Sequence, residues 1–332
     1  MSDHLIEGLV SVPPSGWRFI DDWGSFEIQD LQKVSYLYFP LVNLRGMMSS
    51  VTPTLNGDAK LDQNTFLLLP VSVEDLHNTR SARNFWVRIN DEPWSVTGNS
   101  TKQISDKFSS FEEAVQCRAG FLWHEIERKH NKSGLVASVI NFVPASEDAV
   151  ELMRVTLRNT STETLQLSPI AAIPIYGRSA DNLRDHRHVT ALLHRTECHP
   201  AGVLVKPTMS FDERGHKQNQ VTYVVLGFEQ DGRLPGGFTP LVEDFIGEGG
   251  CYAWPDVVVG NDQVKYEAGH KFEGYESIGG LHFDPVRLSP GESRSYLLVL
   301  SILGDDEKAE DLVAKYGAEE KFEEALRSTK RF

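Results

Sequence analysis

A chain of 332 residues, 40% hydrophobic and 24% charged, has ordinary globular composition, which excludes a disordered or fibrous protein. Its 47 acidic against 33 basic residues leave a net charge of −14. That excess repels nucleic-acid phosphates and anionic membrane surfaces, so neither is an expected partner, while neutral ligands such as sugars are compatible with it.

Residues 1–20 contain no basic stretch leading into an apolar one, as a secretory signal would. The longest apolar runs, 66–73 and 296–303, fall far short of the roughly 20 residues that a membrane span needs. Cys117, Cys198 and Cys251 are widely separated and form no Cys-x-x-Cys. Neither a disulfide framework nor a cysteine zinc site is expected, and inert thiols in a reducing, cytoplasmic setting fit best. The sequons at Asn99, Asn131 and Asn159 then carry no weight.

Along the chain, Pro13-Pro14 and Asn56-Gly57 are the first turn signals. Residues 71–86 (VSVEDLHNTRSARNFW) crowd Glu74, Asp75, His77, Asn78, Arg80, Arg83 and Asn84 between strand-like runs. Glu74 and Asp75 are an acid and base pair by type, but neighbours on a strand point to opposite faces. A loop tied down by its own polar groups is the plainer expectation. Residues 135–143, 150–157 and 223–228 are strand-like, rich in β-branched and aromatic side chains. The polar stretch 159–164 (NTSTET) between 150–157 and the apolar run 165–175 predicts a hairpin. Gly236-Gly237, Gly249-Gly250, Gly279-Gly280 and Pro290-Gly291 mark further turns. No repeat and no strand–helix alternation occur, so an antiparallel all-β fold is expected. After a last strand at 295–303, Asp305 or Asp306 is placed to cap a helix carrying Ala309, Leu312 and Val313, which Gly317 stops. A second helix from about residue 318 puts Phe322, Ala325 and Leu326 on one face. That stripe either packs back onto the sheets or opens a linker to another domain.

The richest chemistry lies in 173–195 (IPIYGRSADNLRDHRHVTALLHR). Arg178, Asp181, Asn182, Arg184, Asp185, His186, Arg187 and His188 are the candidate substrate-binding residues, because they offer directional hydrogen bonds to sugar hydroxyls or phosphate. The competing reading is an Arg–Asp network that pins a long loop. His186 and His188, on a strand, would share a face as metal ligands do, with His194 or Asp181 as a third. The nearby Arg184 and Arg187 oppose a cation, and no metal is expected. The tryptophans and tyrosines suit pyranose stacking and core filling equally. Phosphate-loop, serine-elbow and zinc-helix motifs are absent.

Taken together, 35–40 (SYLYFP), 46–58 (GMMSSVTPTLNGD), 63–86, 94–100 (WSVTGNS), 120–123, 141–144, 172–195, 206–216 (KPTMSFDERGH), 243–250 (EDFIGEGG) and 274–281 resemble the N-terminal region of glycoside hydrolase family 94 proteins. These are cellobiose-phosphorylase-like, and the likeness is greatest to the 1,2-β-oligoglucan phosphorylase branch. It covers the chain from about Gly16 onward. The resemblance implies a large antiparallel β-supersandwich of the galactose-mutarotase-like type over 1–304 and a helical linker at 305–332. An α/α barrel follows in the family and carries the catalytic acid and most phosphate-binding groups. No catalytic residue is therefore assigned here, and the chain alone is expected to be inactive.

The implied reaction is phosphorolysis of a β-glucoside to α-glucose 1-phosphate, without a metal or organic cofactor. The implied partners are a β-linked gluco-oligosaccharide, phosphate or glucose 1-phosphate, a barrel-bearing chain, and further subunits in a homo- or hetero-oligomer. In the family the sandwich can cover a neighbouring subunit's active site, and 178–195 is the candidate for that role by its residue chemistry. Two alternatives stand beside this. One is a mutarotase-like sugar epimerase using His186, His188 and Glu213. The other is a non-catalytic carbohydrate-binding module.

Overall fold

The computed structural model describes residues 16–34, 37–71, 82–212, 215–260 and 265–331. The expected all-β antiparallel fold is what forms. Two sheets dominate, of 11 and 6 strands among the described residues, and every named strand pair is antiparallel. The large sheet is built around Leu135–Phe142, Val150–Asn159, Ser293–Gly304 and Val221–Glu229, hydrogen-bonded in that order. The second is built around Leu165–Ile175, flanked by Asn84–Ile89 and Ser277–His282. Phe85, Val87, Val155, Leu167, Val225, Tyr296 and Leu298 are fully buried in the core between them. Four short strands over 39–68 add Leu41, Val51 and Leu68 to that core.

The hairpin expected across 159–164 does not form. Val150–Asn159 lies in the large sheet and Leu165–Ile175 in the second, so the polar stretch crosses between sheets. Asn159 fixes the crossing, donating to the Glu163 and Leu288 carbonyls at 2.7 and 2.8 Å. Local pattern is silent on this point because both strands are covered on both faces. Met153 and Val155 enter the inter-sheet core, while Val150 and Leu152 lie under the C-terminal helices. Strict alternation, the signal that pairs neighbours, is then lost.

Gly279-Gly280 is likewise no turn. Both residues lie inside the buried strand Ser277–His282. A Cβ on Gly279 would meet the Val225 side chain at 2.5 Å, and one on Gly280 would meet the Thr239 carbonyl oxygen at 2.3 Å. The pair lets this strand approach one neighbour on each side. Because a backbone carbonyl cannot swing away, Gly280→Val is expected to destabilise the domain by about 1–3 kcal/mol or more. A lowered urea midpoint with an unchanged m-value checks this; an unchanged midpoint contradicts it.

The C-terminal helices are Ala309–Tyr316 and Glu319–Arg331. Leu312, Tyr316, Phe322 and Leu326 pack on Phe142, Leu152, Phe228 and Leu297 on the outer face of the large sheet. Arg154 reaches out of that sheet to Glu319 and Glu323. Neither Asp305 nor Asp306 is the cap. The first helix starts after Lys308, without a side-chain cap, and Glu307 instead accepts the Gly304 N–H at 2.7 Å.

Candidate functional site

The outer face of the second sheet carries a cleft of about 650 Å³. Alternation along Asn84–Ile89 creates it: Phe85, Val87 and Ile89 enter the inter-sheet core, so Asn84 and Trp86 face outward. Ala172 and Pro174 from the central strand join Asn84 in the lining. Below them Trp86, Ile170 and Ile278 pack against Val242, Phe245, Val257 and Val258, which gives the cleft a stiff apolar base. Val242, Glu243 and Ile246 of the helix Val242–Ile246, with Cys251 and Tyr252, form one wall.

Another part of the lining is rich in amides: Asn56, Asn84 and Asn99 with Thr54. Asn99 is held by the helix that follows. Ser100 caps Thr101–Asp106 in a reciprocal capping box with Gln103, fixing where the preceding residue points. Ile104 and Lys107 complete this side.

The third feature is charged. Arg187 donates to both carboxylate oxygens of Glu276, at 2.9 Å from Nε and 2.6 Å from Nη2. Arg178 approaches the same carboxylate at 3.5 Å and lies over the Tyr176 ring, 5.2 Å from its centroid. Burial holds the Arg178 guanidinium below its ordinary range. A void of about 30 Å³ lies among Tyr176, Arg178, Arg187 and Glu276, and Arg187 and Glu276 also line the main cleft.

The structure divides the residues expected to bind substrate. Arg187 and His188 line the cleft, and Arg178 stands behind it through Glu276. Asn182 and Asp185 serve the loop itself: Asn182 Nδ2 donates to Asp185 at 2.8 Å and its Oδ1 accepts from the Ser179 hydroxyl at 3.1 Å. Asp181, Arg184 and His186 are exposed and outside the cleft lining. The expected His-x-His strand is a helix, Arg187–Ala191, with His186 at its N-cap and the two rings 5.4 Å apart. Among the described residues no group of three His, Cys, Asp or Glu side chains is placed to hold a metal ion. Glu74, Asp75, His77, Asn78, Arg80 and Glu213 lie outside the described residues.

Asn56, Asn99, Glu243 and Glu276 were not singled out as site residues from the sequence. Glu276 is 89 positions from Arg187, and only the fold brings them together. The run 94–100 was the one available signal for Asn99. No tryptophan lines the cleft, whereas Tyr252 does.

Cys251 gives a direct probe of this wall, because it is exposed while Cys117 and Cys198 are buried. Burial pushes those two thiols up to about 12 and about 11 respectively. A thiol reagent at about pH 8 is expected to label Cys251 alone in the folded chain, the other two reacting only after denaturation. Rapid labelling of more than one cysteine in the native protein contradicts the placement.

The family model for the glycosyl hydrolase 94 supersandwich domain matches residues 59–319. No curated protein matches the sequence. Among solved structures, a bacterial glucoamylase complexed with acarbose is similar at 9% identity and a TM-score of 0.44, over 92% of this chain and 34% of its own. An aldose epimerase homologue from C. elegans is similar at 11% identity and a TM-score of 0.40, over 81% of this chain and 99% of its own. A galactose 1-epimerase from Lactobacillus acidophilus NCFM is similar at 9% identity and a TM-score of 0.38, over 87% and 98%. This chain thus spans about a third of the glucoamylase's length. No helix among the described residues is long and apolar enough to cross a membrane.

Proposed function

Because the chain belongs to the glycosyl hydrolase 94 supersandwich-domain family, a carbohydrate-processing family, we propose that it is the sugar-binding sandwich domain of a cytoplasmic glycoside phosphorylase of the 1,2-β-oligoglucan type. The observation that carries this reading is the cleft. It is large enough for a sugar ring, apolar at its base, and lined by amides on one side and by Arg187, His188 and Glu276 at its charged end.

In the proposed reaction a phosphate oxygen attacks the anomeric carbon of a β-glucoside as the glycosidic C–O bond breaks. A carboxylic acid protonates the leaving oxygen, and inversion gives α-glucose 1-phosphate. That acid and the phosphate-binding groups belong to an α/α barrel, on an adjoining segment or a partner chain. This domain's residues hold the sugar. Arg187 and His188 bind at the charged end, Arg178 positions Glu276, and Glu276 holds Arg187 in one geometry until substrate arrives. An oligomer that lays this face against a barrel would let the same residues close a neighbouring site.

The test is phosphate release from α-glucose 1-phosphate with glucose and β-gluco-oligosaccharides as acceptors. The folded chain alone is expected to release none while binding oligosaccharide saturably. Release that persists through rigorous purification overturns the dependence on a barrel.

A further inference from the structure

Asn84 is 5% exposed at the head of its strand, yet lines the cleft. Its Oδ1 accepts from the Ser95 and Thr97 hydroxyls at 2.8 and 2.9 Å. Its Nδ2 has no partner among the described residues. Asn99 is wired the opposite way. Its Nδ2 donates to the Thr54 carbonyl at 2.6 Å and to the Thr97 hydroxyl at 2.9 Å, which leaves Oδ1 for the cleft.

The orientation of an amide is ordinarily ambiguous, since its two ends differ little in shape. Here two backbone groups remove the ambiguity. The Thr54 carbonyl can only accept, so the end of Asn99 that meets it must be nitrogen. The other N–H of that group goes to Thr97 Oγ1, so the single hydroxyl proton of Thr97 goes either to Asn84 at 2.9 Å or to Ser95 Oγ at 3.1 Å. The Asn99 backbone N–H, which can only donate, occupies Ser95 Oγ at 3.1 Å, and the Ser95 proton likewise goes either to Asn84 or to Thr97. The contact between the two hydroxyls uses one proton at most, so Asn84 receives at least one, and the atom that receives it must be oxygen. A donor on Asn84 and an acceptor on Asn99 are left over, and the opposite ends of the two amides meet at the same Thr97 hydroxyl.

We propose that Asn84 Nδ2 and Asn99 Oδ1 form a polarity-fixed reader for the hydroxyl groups of a neutral sugar. This rests on the reading of the cleft as a carbohydrate site and names the residues that set its ligand class. A hydroxyl accepts and donates at once, so it satisfies both groups. An ionised phosphate or carboxylate oxygen only accepts and would face the Asn99 lone pairs. An ammonium only donates and would face the Asn84 N–H groups. Among the described lining residues the Arg187 guanidinium already holds both oxygens of Glu276, and the other cation is Lys107, which is separate from the amide pair. The amide reader therefore takes the uncharged part of a saccharide, and a phosphate does not replace it on the amide pair.

Calorimetric titration with neutral β-linked gluco-oligosaccharides tests this in the wild-type chain, in Asn84→Asp, which deletes the donor at constant size, and in Thr97→Val, which cuts the relay. Both variants are expected to bind at least about tenfold more weakly, with inorganic phosphate failing to displace the sugar. Wild-type binding with undiminished affinity in a folded Asn84→Asp overturns the reader and leaves the cleft reading standing. If Asn84→Asp does not fold, Thr97→Val decides in the same way. Competitive displacement by phosphate overturns the neutral-ligand assignment. A folded wild type that binds no oligosaccharide overturns the reader and the cleft reading together.

Discussion

Glu151→Ala is expected to destabilise this domain by about 3–5 kcal/mol. Glu151 and Arg83 are completely buried, and their side chains meet in a two-point ion pair between the large sheet and the strand that carries Asn84. Every remaining group is occupied. Arg83 donates to the Asp58 carbonyl at 2.9 Å and to those of Gly57 and Leu55 at 3.3 and 3.4 Å. Glu151 accepts from Ser49 at 2.6 Å and Asn141 at 3.0 Å. Deleting the carboxylate strands a guanidinium where water cannot reach it, which costs far more than the intact pair contributes. Against a domain stability of about 5–15 kcal/mol, that loss is a large fraction. Replacing both partners by apolar residues, as in Arg83→Met with Glu151→Leu, is expected to recover much of it. Urea denaturation of the two single variants and the double variant checks this. A cost under about 1 kcal/mol for Glu151→Ala contradicts the buried-pair account.

The second large effect is acid sensitivity. His124, His194 and His282 are at most 2% exposed, and burial, the largest cause in each, pulls their pKa values to about 3. The unfolded chain takes up these protons near pH 6.5, the ordinary value, while the folded chain refuses them until about pH 3. Between those limits the unfolded state binds more protons, so stability falls as pH falls. Each histidine contributes a slope of about 1.4 kcal/mol per pH unit once well below pH 6.5, and the three together approach about 4. The domain is expected to lose its stability within about one to three pH units below 6.5. Melting temperature measured from about pH 7 to 5 reads the histidines before most carboxylates titrate. His282→Asn, which can keep a hydrogen bond to Thr239, is expected to remove about a third of the slope. A flat melting temperature across that range contradicts the placement of all three.

What was legible in the sequence follows from how local the signal is. The strands at 135–143 and 223–228 and the helices at 309–331 declare themselves through composition and through the spacing of Leu312, Phe322 and Leu326. The crossing at 159–164 did not, because strands buried on both faces carry no pattern to say which sheet they join. Gly279 and Gly280 read as a turn because sequence shows flexibility but not the close neighbours Val225 and Thr239. At the site, the crowding of donors pointed to Arg187 and His188, and charge density is visible in a window of a few residues. The amide wall is not of that kind. Asn56 sits in a turn signal, Asn84 at a strand start and Asn99 in a sequon, and their joint meaning exists only after folding. Asp181, Arg184 and His186 share the window with Arg187 but not its position, since a helix and a 3₁₀ turn replace the expected strand.

The proposed sugar site is the cleft over the second sheet. The most direct test is a crystal structure of the chain soaked with a neutral β-linked gluco-oligosaccharide. The predicted result is a sugar ring in the cleft with a hydroxyl between Asn84 Nδ2 and Asn99 Oδ1. An oligosaccharide bound at another surface, with the cleft empty, would contradict it.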